Sequence, residues 1–143
     1  MIHVAAVVGA GLLSGVYAAF STIVVPALRC LDDRAATAAM IEINRRAERG
    51  PFIVLFGSAA VAAVALGIGA IPRGAVPELV IAGASLASTV VTMTVNVPLN
   101  RRLHKDGAGF WSEYSRRWAA ANTARAAFAA TALIVAGTHW SLK

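Results

Sequence analysis

The sequence predicts an all-α integral membrane protein: a four-helix bundle with an amphipathic interfacial helix between the first and second spans. Hydrophobic residues make up 58% of the chain and charged residues 14%, whereas soluble proteins average about 45–50% and about 25%. Four apolar stretches are each long enough to cross roughly 30 Å of hydrocarbon as a helix, at about residues 4–25, 52–71, 78–99 and 118–137. A chain of 143 residues is interpreted as one domain, residues 1–143.

The first apolar stretch, residues 4–25, is interpreted as a membrane span. No Lys or Arg precedes it, and it is longer than a usual signal-peptide core, which disfavours a cleaved signal peptide. Its segment VAAVVGAGLLSG imitates a dinucleotide-binding glycine loop, but Ser14 takes the third glycine position and no strand–helix alternation follows. Gly11 and Gly15 instead predict a close contact with another span. Pro26 is expected to end or kink the helix.

Residues 27–50 change character abruptly, because charged residues alternate there with leucine, isoleucine and methionine. This pattern predicts an amphipathic helix that lies in the membrane interface or caps the bundle. Gly50 and Pro51 then stop one helix and start the next. In the second span Phe52 and Phe56 are one turn apart, so they share a face.

The third span carries a polar stripe that the first two lack. Its members recur at steps of three or four residues, which places them on one helical face: Ser85, Ser88, Thr89, Thr92 and Asn96, leading to Asn100. Pro98 is expected to loosen the last turn. Residues 101–110 are predicted to form a polar loop.

The fourth span is predicted to begin outside the membrane near Phe110. On it five polar or aromatic residues step by four, three, four and three, which puts them on one stripe: Trp111, Ser115, Trp118, Asn122 and Arg125. The opposite face is mostly alanine, which suits tight packing or lipid.

The distribution of basic residues predicts the orientation in the membrane. Of thirteen Lys and Arg residues, five lie in the first connection and five in the third, but only Arg73 lies in the second. The positive-inside rule therefore predicts a multi-pass protein of the cell (inner or plasma) membrane with both termini on the non-cytoplasmic side. The same rule explains the net charge of +6, so the lipid bilayer is the expected partner and nucleic acid is not.

This orientation brings polar and aromatic residues of four helices to one depth. Arg125 is the hardest of them to explain as packing, because a cation inside a membrane needs a carboxylate, carbonyl groups or an anionic ligand. Apart from Glu78 at the very start of the third span, the spans contain no acidic residue. Its expected companions are Asn96, Asn122, backbone carbonyls, or Glu42 if the first connection folds under the bundle. An arginine with amide neighbours is suited to holding an oxyanion.

The predicted orientation in the membrane also disfavours metal and haem chemistry. His3 and His139 fall at the outer ends of the spans and His104 at the inner end, so the three histidines cannot meet around one ion. Cys30 is the single cysteine and offers no repeated ligand spacing. No metal ligand and no cofactor-binding residue is therefore predicted.

Several short motifs together resemble one known family. They are G-x-L-x-G-x-Y-x-A-F at 11–20 with Pro26 after it, Met40 and Asn44 in the first connection, NVPLN at 96–100, and W-x6-W-x3-N-x2-R at 111–125. The chain is similar in these motifs to the anthrone oxygenase-like family of small integral membrane proteins. The resemblance implies a four-helix bundle and, as in the characterised branch of that family, oxidation of anthrones to anthraquinones without flavin, haem or metal.

The residues suggest how such a reaction would be arranged. A flat, lipophilic aromatic substrate would stack among Phe52, Phe56 and Trp118. Its enolate oxygen would be held by the candidate catalytic residues, Arg125, Asn122 and Asn96. Further candidates for substrate binding are Asn100, Tyr17 and Asn44. The general base stays open among His104, Glu42, Glu113 and Tyr17.

The alternative is a non-enzymatic membrane protein that binds a lipophilic ligand or serves as a partner subunit, with the amides acting as glue between helices. A transporter is a third interpretation. Four spans without an inverted repeat would have to dimerise to form a path, and the sequence leaves association into homo-oligomers open.

Overall fold

The computed structural model describes residues 1–141, with side chains described through residue 138, and this part of the chain is almost entirely helical and contains no strand. The side chain of His139 lies outside the described residues. The α-helices are α1 (Ile2–Ala19), α2 (Val25–Arg29), α3 (Asp33–Arg49), α4 (Pro51–Ala70), α5 (Val76–Val91), α6 (Val97–Asp106) and α7 (Trp111–Ser141). The predicted all-α bundle is confirmed.

The four long helices form an antiparallel ring. The side chain of Ser88 on α5 bonds to the carbonyl of Arg125 on α7, and Asn100 meets Tyr114. Residue numbers therefore rise along α5 and its continuation α6 while they fall along α7, so α7 is antiparallel to them. Helix α1 packs mainly against α4 and α7, and α5 packs mainly against the same two helices.

Three stretches are long and apolar enough to cross a membrane: Ile2–Arg29, Pro51–Arg73 and Val76–Thr138. The third has 63 residues and would be about 95 Å long as one straight helix. It folds back at Gly107, whose φ of 67° lies in the left-handed region, so it supplies two legs of the bundle. Large apolar side chains cover the outside of the bundle, as lipid contact requires, among them Val8, Leu12, Val54, Val61 and Ile134.

Pro26 does not end the first helix, which was one of the two outcomes expected there; instead the helix changes its winding. A π-helical segment, Phe20–Val24, precedes it, and the N–H of Val25 donates to the carbonyl of Phe20, five residues back. A proline ring clashes with the carbonyl four residues before it, and the wider π turn gives that carbonyl room. The helical path therefore continues to Arg29.

The same arrangement, a π-helical segment just before a proline, recurs at Pro98. The π-helical segment Thr92–Asn96 precedes Pro98, and the N–H of Val97 donates to the carbonyl of Thr92. The predicted loosening of this turn thus takes the form of a local widening, and α6 carries on the direction of the helix.

The prediction of a polar loop at residues 101–110 is wrong, because α6 continues to Asp106. Leu99 and Leu103, one turn apart, are both buried, and Arg102 pairs with Asp106 at 3.0 Å across the following turn. Apolar burial on one face and an ion pair on the other keep this polar segment helical.

The amphipathic helix between the first two spans is confirmed as α3. Its N-cap is Asp32, whose carboxylate accepts from the N–H groups of Arg34 and Ala35, each at 3.0 Å. Thr37 and Met40 are buried, so α3 lays its less polar face against the end of the bundle and covers it.

The tightest helix contact of the glycines on α1 is made by Gly9. Gly11 faces another span, α7, but only at ordinary contact distance, since an added Cβ atom would lie 3.5 Å from Leu133 Cδ1. A Cβ atom on Gly9 would lie 2.8 Å from the Cβ of Ala59 on α4, whereas one on Gly15 would meet nothing within 4 Å. Periodicity alone could not separate these glycines, because all three lie in one apolar stretch.

We expect Gly9→Leu to destabilise the bundle by about 1–3 kcal/mol, the usual cost of overpacking, because α1 and α4 must move apart. Thermal unfolding of the detergent-extracted protein measures this. Gly15→Leu is the matched control and should leave the melting temperature nearly unchanged. Equal melting temperatures for the two variants would contradict the helix contact.

Candidate functional site

A cavity of about 380 Å³ opens where α3 covers the end of the bundle. Its volume falls within the roughly 300–1,000 Å³ of small-molecule sites. Its walls are mainly apolar, with Val16, Phe20, Ile53 and Met93 among them. Seven of the predicted site residues also line it: Phe52, Phe56, Asn44, Asn96, Asn100, Trp118 and Arg125.

Aromatic side chains stand in two groups around the cavity wall. Phe52 and Phe56 are stacked with their ring centroids 6.2 Å apart. Trp118 lies 5.4 Å from Phe20 and 6.5 Å from Tyr114, measured between ring centroids. Such a wall favours a flat ring system through offset and edge contacts.

Tyr17 and Asn122, the two other predicted site residues, do not line the cavity but stand behind it. Both are almost completely buried. The Tyr17 ring centroid lies 4.2 Å from the guanidinium carbon of Arg125, and that of Trp118 lies 5.0 Å from it. Two aromatic faces thus stabilise the buried cation.

Asn122 orients the guanidinium of Arg125. Its Oδ1 accepts from Nε at 2.9 Å and from Nη2 at 2.7 Å. Its Nδ2 donates to the carbonyl of Tyr17 at 2.8 Å and to the hydroxyl of Ser21 at 2.7 Å. The hydrogen-bonding capacity of this amide is fully used within the protein, so Asn122 holds α1 and α7 together.

Arg125 has N–H donors that the described part of the chain leaves unused. It is 5% exposed, and its only other side-chain contact with a hydrogen-bond acceptor of the described residues is a long one, 3.5 Å, from Nη1 to Thr92. Of the five N–H groups on a guanidinium, two therefore have no partner in the described part of the chain. No carboxylate of residues 1–138 lies within ion-pair distance of it.

Asn96 and Trp118 also present unused polar atoms. Asn96 is 1% exposed and Trp118 is 3% exposed. The amide nitrogen of Asn96 makes one long contact, 3.4 Å, to the carbonyl of Trp118. Neither Oδ1 of Asn96 nor Nε1 of Trp118 has a hydrogen-bond partner among the described residues. A buried polar atom left unpaired costs about 1–3 kcal/mol, so one acceptor and one donor beside the cavity favour a polar ligand group there.

Glu42 is not the partner of Arg125. Its carboxylate pairs with Arg45 at 2.7 Å and with Arg46 at 2.8 Å on its own helix. The hydrogen bond from Arg46 lowers the pKa of this carboxyl group, which makes it a weaker base. Glu113 likewise pairs with Arg117 at 2.8 Å, and neither acid lines the cavity.

Glu48 is the carboxylate that lines the cavity, and the sequence reasoning missed it among the charges of α3. The available signal was its spacing: Glu48 follows Asn44 by one turn, so the two share a face. Ser115, by contrast, was placed on the polar stripe but bonds to the carbonyl of Ser112 and lies outside the cavity. Among the described residues, no three His, Cys, Asp or Glu side chains are grouped closely enough to hold a metal ion.

A family model described as anthrone oxygenase matches residues 38–135 of the chain, well over half of it. The matched segment contains most of α3, all of α4, α5 and α6, and most of α7, and with them most of the cavity lining. The motif at 11–20 lies outside it. No curated protein and no solved structure matches the chain.

The two buried amides are expected to respond differently to substitution. Asn122→Leu removes two helix-joining hydrogen bonds and strands the guanidinium, and hydrogen bonds between membrane helices contribute about 0.6–2 kcal/mol each. Asn96→Leu removes one long contact. Melting of the detergent-extracted variants should therefore show a clear loss for Asn122→Leu and almost none for Asn96→Leu. Equal losses would contradict the interpretation that Asn122 joins helices and that Asn96 is a cavity-lining amide with little structural role.

Proposed function

We propose that the protein is a membrane-embedded oxygenase of lipophilic, anthrone-like substrates. The chain belongs to the anthrone oxygenase family, and a cation without an ion-pair partner among the described residues lines its aromatic cavity. The observation that carries the proposal is Arg125. Among the described residues, this buried guanidinium has two N–H groups without a partner and no carboxylate within ion-pair distance, so it is arranged to receive negative charge from a ligand.

The substrate enters from the membrane and lies with its rings against Phe52, Phe56 and Trp118. The walls of the cavity are chiefly apolar, so burial of a flat hydrocarbon surface contributes about 25 cal/mol per Å². The substrate carbonyl points to Arg125. Hydroxyl groups on the rings find an acceptor in Oδ1 of Asn96 and a donor in Nε1 of Trp118.

The reaction begins when the methylene group opposite the carbonyl loses a proton. The electron pair moves onto the carbonyl oxygen, and Arg125 stabilises the resulting enolate by charge and by two hydrogen bonds. The cation is held in place before the reaction by Asn122, Tyr17 and Trp118, so no reorganisation is needed when charge develops.

Molecular oxygen then reacts with the electron-rich carbon. One electron passes from the enolate to oxygen, the two radicals combine, and protonation gives a hydroperoxide at the former methylene carbon. Loss of water from this group forms the second carbonyl. One molecule of oxygen is consumed and one of water is released for each anthrone that becomes an anthraquinone, and the proposal includes no cofactor.

Glu48 is assigned as the general base. It is the carboxylate that lines the cavity, and the acids nearest to it along α3 and α7, Glu42 and Glu113, are neutralised by arginines. It stands at the mouth, where it exchanges its proton with water after each turnover.

The proposed role of Arg125 is tested by Arg125→Met. Anthrone oxidation, followed as oxygen consumption and anthraquinone formation, should fall by at least about 10²-fold, the usual effect of losing an oxyanion donor. Arg116→Met, which removes an exposed cation of the same helix, should leave turnover unchanged. Wild-type turnover should also be insensitive to a chelator.

If Arg125→Met fails to fold, Arg125→Lys replaces it, because that variant keeps the charge and loses the two-pronged donor. Turnover at the wild-type rate in either folded variant would rule out the oxyanion role. Binding of anthraquinone by wild-type protein without any turnover of anthrone would instead favour the non-enzymatic, lipophile-binding alternative.

We expect Glu48→Gln to lower kcat by about 10²–10⁴-fold, the range for a general base, with little change in KM. With anthrone deuterated at the methylene group, the isotope effect on kcat should increase because proton removal becomes slower. Glu42→Gln is the matched control on the same helix and should behave as the wild type. An unchanged kcat in Glu48→Gln would show that another group removes the proton.

A further inference from the structure

A second cavity of about 310 Å³ adjoins the first at the polar end of the bundle. The two cavities share three wall residues, Asn44, Glu48 and Asn100. We name the first the inner cavity and the second the outer cavity. The outer cavity is otherwise lined by Ile41, Arg45, Arg49, Arg101 and His104.

The outer cavity carries an excess of positive charge. Three arginines and one histidine face a single carboxylate, that of Glu48. In the described part of the chain, no acid lies within ion-pair distance of Arg49 or Arg101. Arg45 has Glu42 as its partner but shares it with Arg46.

This charge is more than the general excess of basic residues at a membrane surface. Arg49 comes from the end of α3 and Arg101 from α6, so two separate helices bring unpaired guanidinium groups to one recess. Other basic residues of the same connections, such as Arg29, Arg34 and Arg116, line neither cavity.

We infer that the protein acts on an amphiphilic substrate: an aromatic ring system that fills the inner cavity and bears a carboxylate, which binds Arg49 and Arg101 in the outer cavity. This inference rests on the proposed function for the reaction but not for the binding. Arginine suits the ligand because its planar fork matches a carboxylate with two parallel hydrogen bonds.

The two cavities divide the polar groups of such a substrate between them. The outer arginines are exposed, so a carboxylate bound there keeps part of its hydration and its desolvation cost is small. Glu48 at the junction repels an anion that stops short of the arginines. The neutral carbonyl end of the ligand therefore goes inward to Arg125, and the carboxylate stays outward.

The test compares the binding of anthraquinone-2-carboxylate and of anthraquinone, which are not turned over, to the full chain in nanodiscs of zwitterionic phosphatidylcholine. Isothermal titration calorimetry should give a Kd for the carboxylate that is lower by about tenfold or more. The double variant Arg49→Gln/Arg101→Gln should remove this preference and leave the Kd of anthraquinone unchanged. The matched control, Arg29→Gln/Arg116→Gln, should keep the preference.

An equal preference in wild type and in Arg49→Gln/Arg101→Gln would overturn the inference. A second arm uses nanodiscs that contain anionic phosphatidylglycerol. If the headgroup of this lipid is the true occupant, it will abolish the carboxylate preference of the wild type, and that outcome also overturns the inference. A preference that persists in both kinds of nanodisc supports it.

Turnover of anthrone and of anthrone-2-carboxylate, measured on the same preparations, separates the two proposals. If the carboxylate preference in binding is found and neither anthrone is oxidised, the proposed function fails and the inference stands. If both anthrones are oxidised with equal kcat/KM and the two Kd values are equal, the inference fails and the proposed function stands.

Discussion

A buried guanidinium that has no carboxylate beside it in the described part of the chain is the constraint on which the rest of the site depends. Placing Arg125 inside an apolar bundle is costly, and the fold offsets the cost with neutral groups. Asn122 accepts two of its hydrogen bonds, and the rings of Tyr17 and Trp118 lie within 4.2 and 5.0 Å of it. A fixed counter-charge would satisfy the cation fully and leave nothing for a ligand. Neutral partners hold its position while its charge stays available.

The two π-helical segments link the polar surroundings of Arg125 to two prolines in the sequence. Prolines 26 and 98 each force a wide turn just before them. The first wide turn contains Ser21, and the carbonyl of Tyr17 lies just ahead of it; both are partners of Asn122. The second contains Thr92, which contacts Arg125, and Asn96, which lines the inner cavity. The two distortions of otherwise regular helices therefore supply the polar groups of the site from two neighbours of α7.

Composition and periodicity were sufficient to predict the membrane bundle, the amphipathic α3 and the stripe that ends at Arg125, because each depends on residues close together in sequence. The contact at Gly9 depended on which face α4 would present, and the roles of the two amides depended on partners more than 20 residues away. Asn96 and Asn122 look alike in sequence, yet one is fully hydrogen-bonded and the other has an unpaired oxygen. The helical α6 was mistaken for a loop because its polar face masks the burial of Leu99 and Leu103. Glu48 was missed because its one signal, the one-turn spacing from Asn44, does not show that this face borders a cavity.

The separation of the two cavities bears on how the proposed oxygenase would select its substrate. The inner cavity alone offers hydrophobic burial, which discriminates weakly among flat aromatic rings, since one methylene group is worth only about 1–3 kcal/mol. In the proposed complex Arg125 binds a carbonyl group that every such substrate shares. Selectivity must therefore come from groups that only some ligands carry, and the unpaired arginines of α3 and α6 are the strongest such groups that border the cavity. Helix α3 covers the inner cavity and also supplies Arg45, Glu48 and Arg49 to the outer one. In the proposed complex, the helix that closes the site therefore also binds the polar end of the ligand.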